Sequence, residues 1–319
     1  MTDTAGLTAA LQAASSQPWA LQEERATSVA ALLSDASAGL TVTEGALARA
    51  LGPGKMAAAD VRQIRTAGGK ITAIVPIQGM ILYDFDLPPF TTGMRQLAAA
   101  IRELAADDAV DRIILDIGSF GGTVTGVEEA AEAIFEARQR KPVIAAINPL
   151  AASAAYHLAS QATEITITPS GDTGSIGVFA MHVDTSAALE RAGIRVTFVK
   201  AGKFKTETNA TEPLSDDARA HLQATVDAFH DKFIADIARG RGISAAMVRR
   251  TFGQGRLLLA QDALRVGMVD RIGTIEEVIA GRSASPASGR GAASGNSPSR
   301  TTLARRERLK RKLQLERLR

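Results

Sequence analysis

Between residues 70 and 147 the chain alternates short aliphatic, β-branched runs with stretches whose apolar side chains recur every three or four positions. Ile71, Ile74, Val75, Ile77 and Ile81 form a β-rich run, and Met94, Leu97, Ile101 and Leu104 follow at helical spacing. Ile113, Ile114, Leu115 and Ile117 then read as a buried strand. Val127–Arg140 is a second helix with Ala131, Ile134 and Phe135 on one face, and Val143–Ile147 is the next strand. Strands separated by helices run parallel, because a parallel pair needs a crossover of a dozen or more residues. The expected fold is therefore α/β: βαβ units forming a mostly parallel sheet covered by helices.

The same reading places further strands at Glu164–Ile167 and Arg195–Val199, and long helices at Leu214–Arg239 and Ser244–Thr251. Residues 257–280 add a helix, a short strand at Met268–Val269 and a last helix. Residues 1–68 read as a helical N-terminal arm from Leu32, Leu33, Leu40, Ala46, Leu47 and Leu51, interrupted at Gly52-Pro53-Gly54. The main domain is expected over 69–280. A Ser/Gly/Pro linker follows at 281–299, and a basic tail at 300–319.

Charge is unevenly spread. The tail holds nine Lys/Arg and two Glu, so a chain of net charge +3 divides into a body of −4 and a tail of +7. A tail of that sign suits acidic protein or nucleic acid. The absence of cysteine excludes a disulfide scaffold, a zinc-thiolate site and a cysteine nucleophile. No run approaches the roughly 20 apolar residues of a membrane span, and Thr2 and Asp3 stand where a signal peptide would be basic. The expectation is a cytoplasmic protein with no membrane anchor.

Three segments carry residues suited to acyl transfer. Gly118-Ser119-Phe120-Gly121-Gly122 reads as a turn after the strand ending at Ile117, and adjacent glycines can offer backbone N–H groups to a ligand oxygen. A plain βα turn fits equally. Ser153, within Ala151-Ala152-Ser153-Ala154-Ala155, sits at a helix start where an oxyanion is favoured, or is simply an N-cap. Lys200, Lys203 and Lys205 end the strand through Val199 and offer either a base or a solvated charge cluster. Among rival bases, His157 lies one turn beyond Ser153, His221 and His230 fall within a long helix, and His182 follows a possible strand. None has a triad context.

Together these segments resemble the signal peptide peptidase A family of serine proteases, and within it the phage capsid-assembly (prohead) proteases. The resemblance covers about residues 70–280. It is carried in order by Ser119-Phe120-Gly121-Gly122, where the family has Ser-Pro-Gly-Gly; by Ala152-Ser153-Ala154; by Thr173–Val178, an unchanged Thr-Gly-Ser-Ile-Gly-Val; and by Gly202–Lys205, a Gly-x-x-Lys.

The resemblance implies a Clp protease/crotonase-like superhelix of βαβ units, usually oligomeric. It makes Ser153 the nucleophile, Lys205 the general base and Ser175 the group that orients the lysine. Gly121 and Ala154 N–H would form the oxyanion hole, with Gly122 shaping the loop. No cofactor or metal is implied. The implied activity is a Ser/Lys endopeptidase of phage or prophage origin cutting scaffold and capsid proteins, within the host cytoplasm or the prohead. The alternatives are a housekeeping protease of the same family, a crotonase-like acyl-CoA enzyme, and a non-catalytic assembly protein.

Overall fold

The structure, a computed structural model, describes residues 18–21, 28, 31, 61–65, 69–84 and 91–281. The chain divides into two units, residues 1–282 and 283–319, of which the second lies outside the described residues. The expectations for the linker and the basic tail therefore fall where nothing is described.

Among the described residues ten strands form one mixed sheet, whose main path runs β10 (Arg271–Ile272), β7 (Glu164–Ile167), β6 (Val143–Ala152), β5 (Val110–Thr123), β3 (Ile71–Leu82) and β2 (Arg62–Arg65). At its centre lie β3 (Ile71–Leu82), β5 (Val110–Thr123), β6 (Val143–Ala152) and β7 (Glu164–Ile167), each parallel to the next. Helix α1 (Met94–Ala106), which follows the short β4 (Thr91–Gly93), and α2 (Val127–Arg140) make the crossovers. The α/β class with βαβ units is what the sequence pattern predicts.

Side chains on β5 go alternately to the two faces. Ile113, Leu115 and Ile117 join the main core with Leu97, Ile101 and Leu104 of α1 and Ala130 and Ile134 of α2. Ile114 joins a smaller cluster on the other face with Ile74, Ala146 and Val278. Burial on both faces explains the unbroken apolar run in the sequence.

The last third supplies α3 (Ala154–Ser160), β8 (Asp172–Gly174), α4 (Ser186–Arg191), α5 (Asp216–Arg241), α6 (Ala245–Thr251), β9 (Leu257–Leu259), α7 (Ala260–Val266), β10 (Arg271–Ile272) and α8 (Ile275–Ile279). Local chemistry sets the bounds of α5. Ser215 caps it by accepting from the Ala218 N–H, Asp216 and Asp217 occupy the first turn, and Gly242 ends it at φ 64°.

Several expectations are corrected. The described parts of the N-terminal region include two strands: β1 (Trp19–Leu21), antiparallel to the end of β5, and β2 (Arg62–Arg65), antiparallel to β3. The rest of the expected helical arm, apart from Ser28 and Ala31, lies outside the described residues. The turn expected after Ile117 is instead the continuation of β5, which stays paired with β3 through Gly122↔Ile81. The short strand near the end is Arg271–Ile272, not Met268–Val269.

No strand forms at Arg195–Val199. Its β-branched residues find no sheet edge in a single chain, and Val199 is fully exposed, with Ile194, Val196, Phe198 and Phe204 also exposed. Among the described residues no helix is long and apolar enough to cross a membrane.

Candidate active site

The site lies where two central strands part. β5 and β6 run side by side up to Ser119↔Ala151 and then diverge. β6 goes on beside β8, with Ala151↔Thr173 and Ala152↔Gly174 paired, and the Thr173 hydroxyl donates to the Ala151 carbonyl at 2.8 Å. β5 goes on beside β3. Ser153 stands at the fork, after β6 and before α3.

Ser153 has φ 55° and ψ −118° and is fully buried. A non-glycine residue at positive φ is strained, by roughly 1–3 kcal/mol, and persists only where the surroundings impose it. Here its N–H donates to the Gly174 carbonyl at 2.7 Å and its carbonyl accepts from the His157 N–H at 3.0 Å. Its Oγ donates to the Gly177 carbonyl at 3.4 Å. Ser153 is the single residue between the end of β6 at Ala152 and the start of α3 at Ala154, a sharp strand-to-helix turn.

Beyond it, the first N–H groups of α3, including that of Ala154, have no intrahelical acceptor. Three polar anchors fix this short helix. The Tyr156 hydroxyl donates to the Met268 carbonyl at 2.9 Å, His157 Nε2 lies 2.9 Å from Asp236 Oδ2, and Gln161 Nε2 donates to the Asp236 carbonyl at 3.0 Å. His157 is buried and stacked on Phe233. Its ring is turned to α5, so it clamps the helix. Burial alone would push the Asp236 carboxyl up, but the hydrogen bond and charge of His157, with Arg239 and Lys232, hold it below the usual carboxylate range.

Two glycines form the facing wall. Gly121 has φ 96°, and a Cβ there would meet the Ala20 carbonyl oxygen, with the Ala152 carbonyl and Ser153 Cβ each 3.1 Å away. On Gly122 a Cβ would collide with the Ile81 backbone. The Gly121 N–H donates to Ser119 Oγ at 3.1 Å, and Ser119 in turn donates to the Gly79 carbonyl at 2.7 Å. Gly121, expected to donate to an oxyanion, thus has its N–H engaged. The N–H of Gly122 belongs to the strand edge facing β1.

Ser175, at φ 51°, follows β8 just as Ser153 follows β6, so the parallel register sets the two serines side by side. Its N–H donates to the Arg256 carbonyl at 3.0 Å. The structure therefore gathers Ser153, Ala154, Gly121, Gly122 and Ser175. It does not bring Lys205 to them. Lys205 is exposed in a run of turns, and its side chain has no hydrogen bond or ion pair among the described residues. Lys200 reaches Thr206 at 3.0 Å, and Lys203 lies over the Phe204 ring.

A cavity of about 410 Å³ opens beside residues 176–178, lined by Ile176, Val178, Asp227, His230, Ile234 and Phe252 among others. Burial and Arg249 hold the His230 imidazole below its usual pKa. No cluster of three or more His, Asp or Glu able to hold a metal ion occurs among the described residues.

The family model described as Peptidase family S49 matches residues 136–285, the stretch that holds Ser153, Ser175 and Lys205. Among similar proteins, Capsid assembly protease C of Escherichia phage lambda is 33% identical over 203 residues, 63% of this chain and 46% of that protein. Head-tail preconnector protein GP5 of Enterobacteria phage P21 is 32% identical over 203 residues, 63% of this chain and 40% of that protein. The chain thus spans less than half the length of either relative. The solved 1510-N membrane-bound stomatin-specific protease overlaps with TM-score 0.45 at 15% identity, over 66% of this chain and 84% of that one.

Proposed function

We propose that the chain is a serine endopeptidase of phage head maturation, with Ser153 as nucleophile. The observation that carries this is the strained, buried Ser153 at the fork, between the first turn of α3 and the glycines of β5, in a stretch that the Peptidase family S49 model matches. Oγ attacks a peptide carbonyl, and its proton passes to the neutral Lys205 amine. The resulting oxyanion is held by the Gly122 and Ala154 N–H groups. The ammonium returns the proton to the leaving amine, and water then hydrolyses the acyl-enzyme. Ser175, beside Ser153 in the register, orients the lysine.

Lys205 reaches Ser153 on assembly of like chains. Its segment carries unpaired apolar residues from Ile194 to Phe204, a surface that a second copy of this chain would cover. The name of the lambda relative, a capsid assembly protease, supports action at the capsid; scaffold and capsid proteins are the substrates we propose, with the prohead as the place of action. The deciding experiment compares wild type with Ser153→Ala on casein and on co-expressed phage scaffold and capsid proteins. Loss of all cleavage in the variant is expected. Retained cleavage would remove Ser153 from its role.

A further inference from the structure

At Gly121–Thr123 the edge of β5 that β6 has left is taken by β1, in the antiparallel register Trp19↔Thr123, Ala20↔Gly122 and Leu21↔Gly121. On the other side Trp19 exchanges both backbone hydrogen bonds with Phe179, at 2.8 and 3.0 Å. Successive residues of a strand turn their N–H and C=O groups to opposite edges, so those of Ala20 face Gly122. The Val124 N–H, donating to the Pro18 carbonyl at 3.3 Å, keeps the same phase. The Ala20 carbonyl oxygen crowds the point where a Cβ on Gly121 would stand, and Ser153 Cβ is 3.1 Å from that point. A carbonyl and the nucleophile therefore flank one position, with Trp19 and Ala20 buried around it.

A peptide entering to be cut has to do the same: lie extended, bond along both edges and present a carbonyl to Ser153. We propose that Pro18–Leu21 is an internal occupant of the substrate cleft, with Ala20 in the place of the residue before the scissile bond, closing the site to other chains until it withdraws. The proposal rests on the peptidase reading of the site. It also defines what the cleft accepts: an extended segment with a small side chain opposite Gly122. Because the occupant is tethered, a free peptide competes against an effective concentration of roughly millimolar order.

The test uses two full-length chains, both carrying Ser153→Ala so that no bond is cut, one also carrying Ala20→Pro. Proline removes the N–H that Ala20 turns to β5 and so evicts the strand. The probe is a dye-labelled peptide copying residues 14–25 with Trp19→Phe. The evicted chain should bind it at least about ten-fold more tightly by anisotropy, and Trp19, the only tryptophan, should become open to acrylamide quenching. Equal affinity, binding by neither chain, or a Trp19 that stays shielded overturns the proposal. If Ala20→Pro does not fold, Ala20→Glu, whose charged side chain does not fit the buried place of Ala20, replaces it with the same readouts. Casein cleavage by the matching chains with Ser153 intact separates the two ideas: no cleavage by either, with the binding difference kept, removes the hydrolysis and leaves the occupied cleft standing.

Discussion

At the residue scale the site rests on backbone that only particular side chains tolerate. Gly122 lies against the Ile81 backbone, with no room for a methyl group. Gly122→Ala should lower stability by about 1–3 kcal/mol, read from the urea midpoint, and, on the oxyanion role proposed for its N–H, should also abolish cleavage. The base role proposed for Lys205 sets it apart from Lys203. Lys205→Ala should reduce cleavage at least about 100-fold, the scale of a lost general base, whereas Lys203→Ala should leave it near wild type. Equal losses would assign the base elsewhere. Ser153 and the two glycines were legible as candidates because their short motifs lie at strand ends, whereas Ser175 came only from the family resemblance of Thr173–Val178. That Ser119 engages the Gly121 N–H was not legible, since motif spacing does not encode such a contact.

Between elements, the helix behind Ser153 is held by α5, and two polar links make that hold measurable. Arg241, 4% exposed, meets Asp270 through two hydrogen bonds at 2.8 and 2.9 Å, tying the end of α5 to the turn before β10. Asp270→Ala leaves a buried guanidinium without its carboxylate and should cost about 3–5 kcal/mol by chemical denaturation. The His157–Asp236 link answers to pH. Asp236 is held below the usual carboxylate range in the fold, so its contribution is complete above the unfolded value of about 4 and is lost as pH falls through the lower folded value. Asp236→Asn should flatten the acid limb of the stability–pH curve. The elements themselves were legible wherever one period dominated, as in α2, found at Val127–Arg140. β1 was not, because three residues are too few to show alternation and their partners are a hundred positions away.

For the whole molecule, the exposed run from Ile194 to Phe204 explains why a strand pattern was present in the sequence and absent from the single chain. A β-branched segment needs an edge to pair with. If like chains supply it, specific activity should rise with protein concentration in step with the oligomer seen by sedimentation. Phe204→Asp should depress both while leaving the thermal transition of the body unchanged. A monomer with full activity would contradict the assembly.

The fork at Ser153 also has a bearing on when in its life the chain can act. Its walls come from β3, β5, β6 and β8, joined by parallel crossovers whose pairings are all long in sequence and therefore late to form. A chain still leaving the ribosome has the serine but not the turn that strains it, the glycine wall opposite or the strand beside it. On the peptidase reading, a part-made chain therefore lacks the complete site.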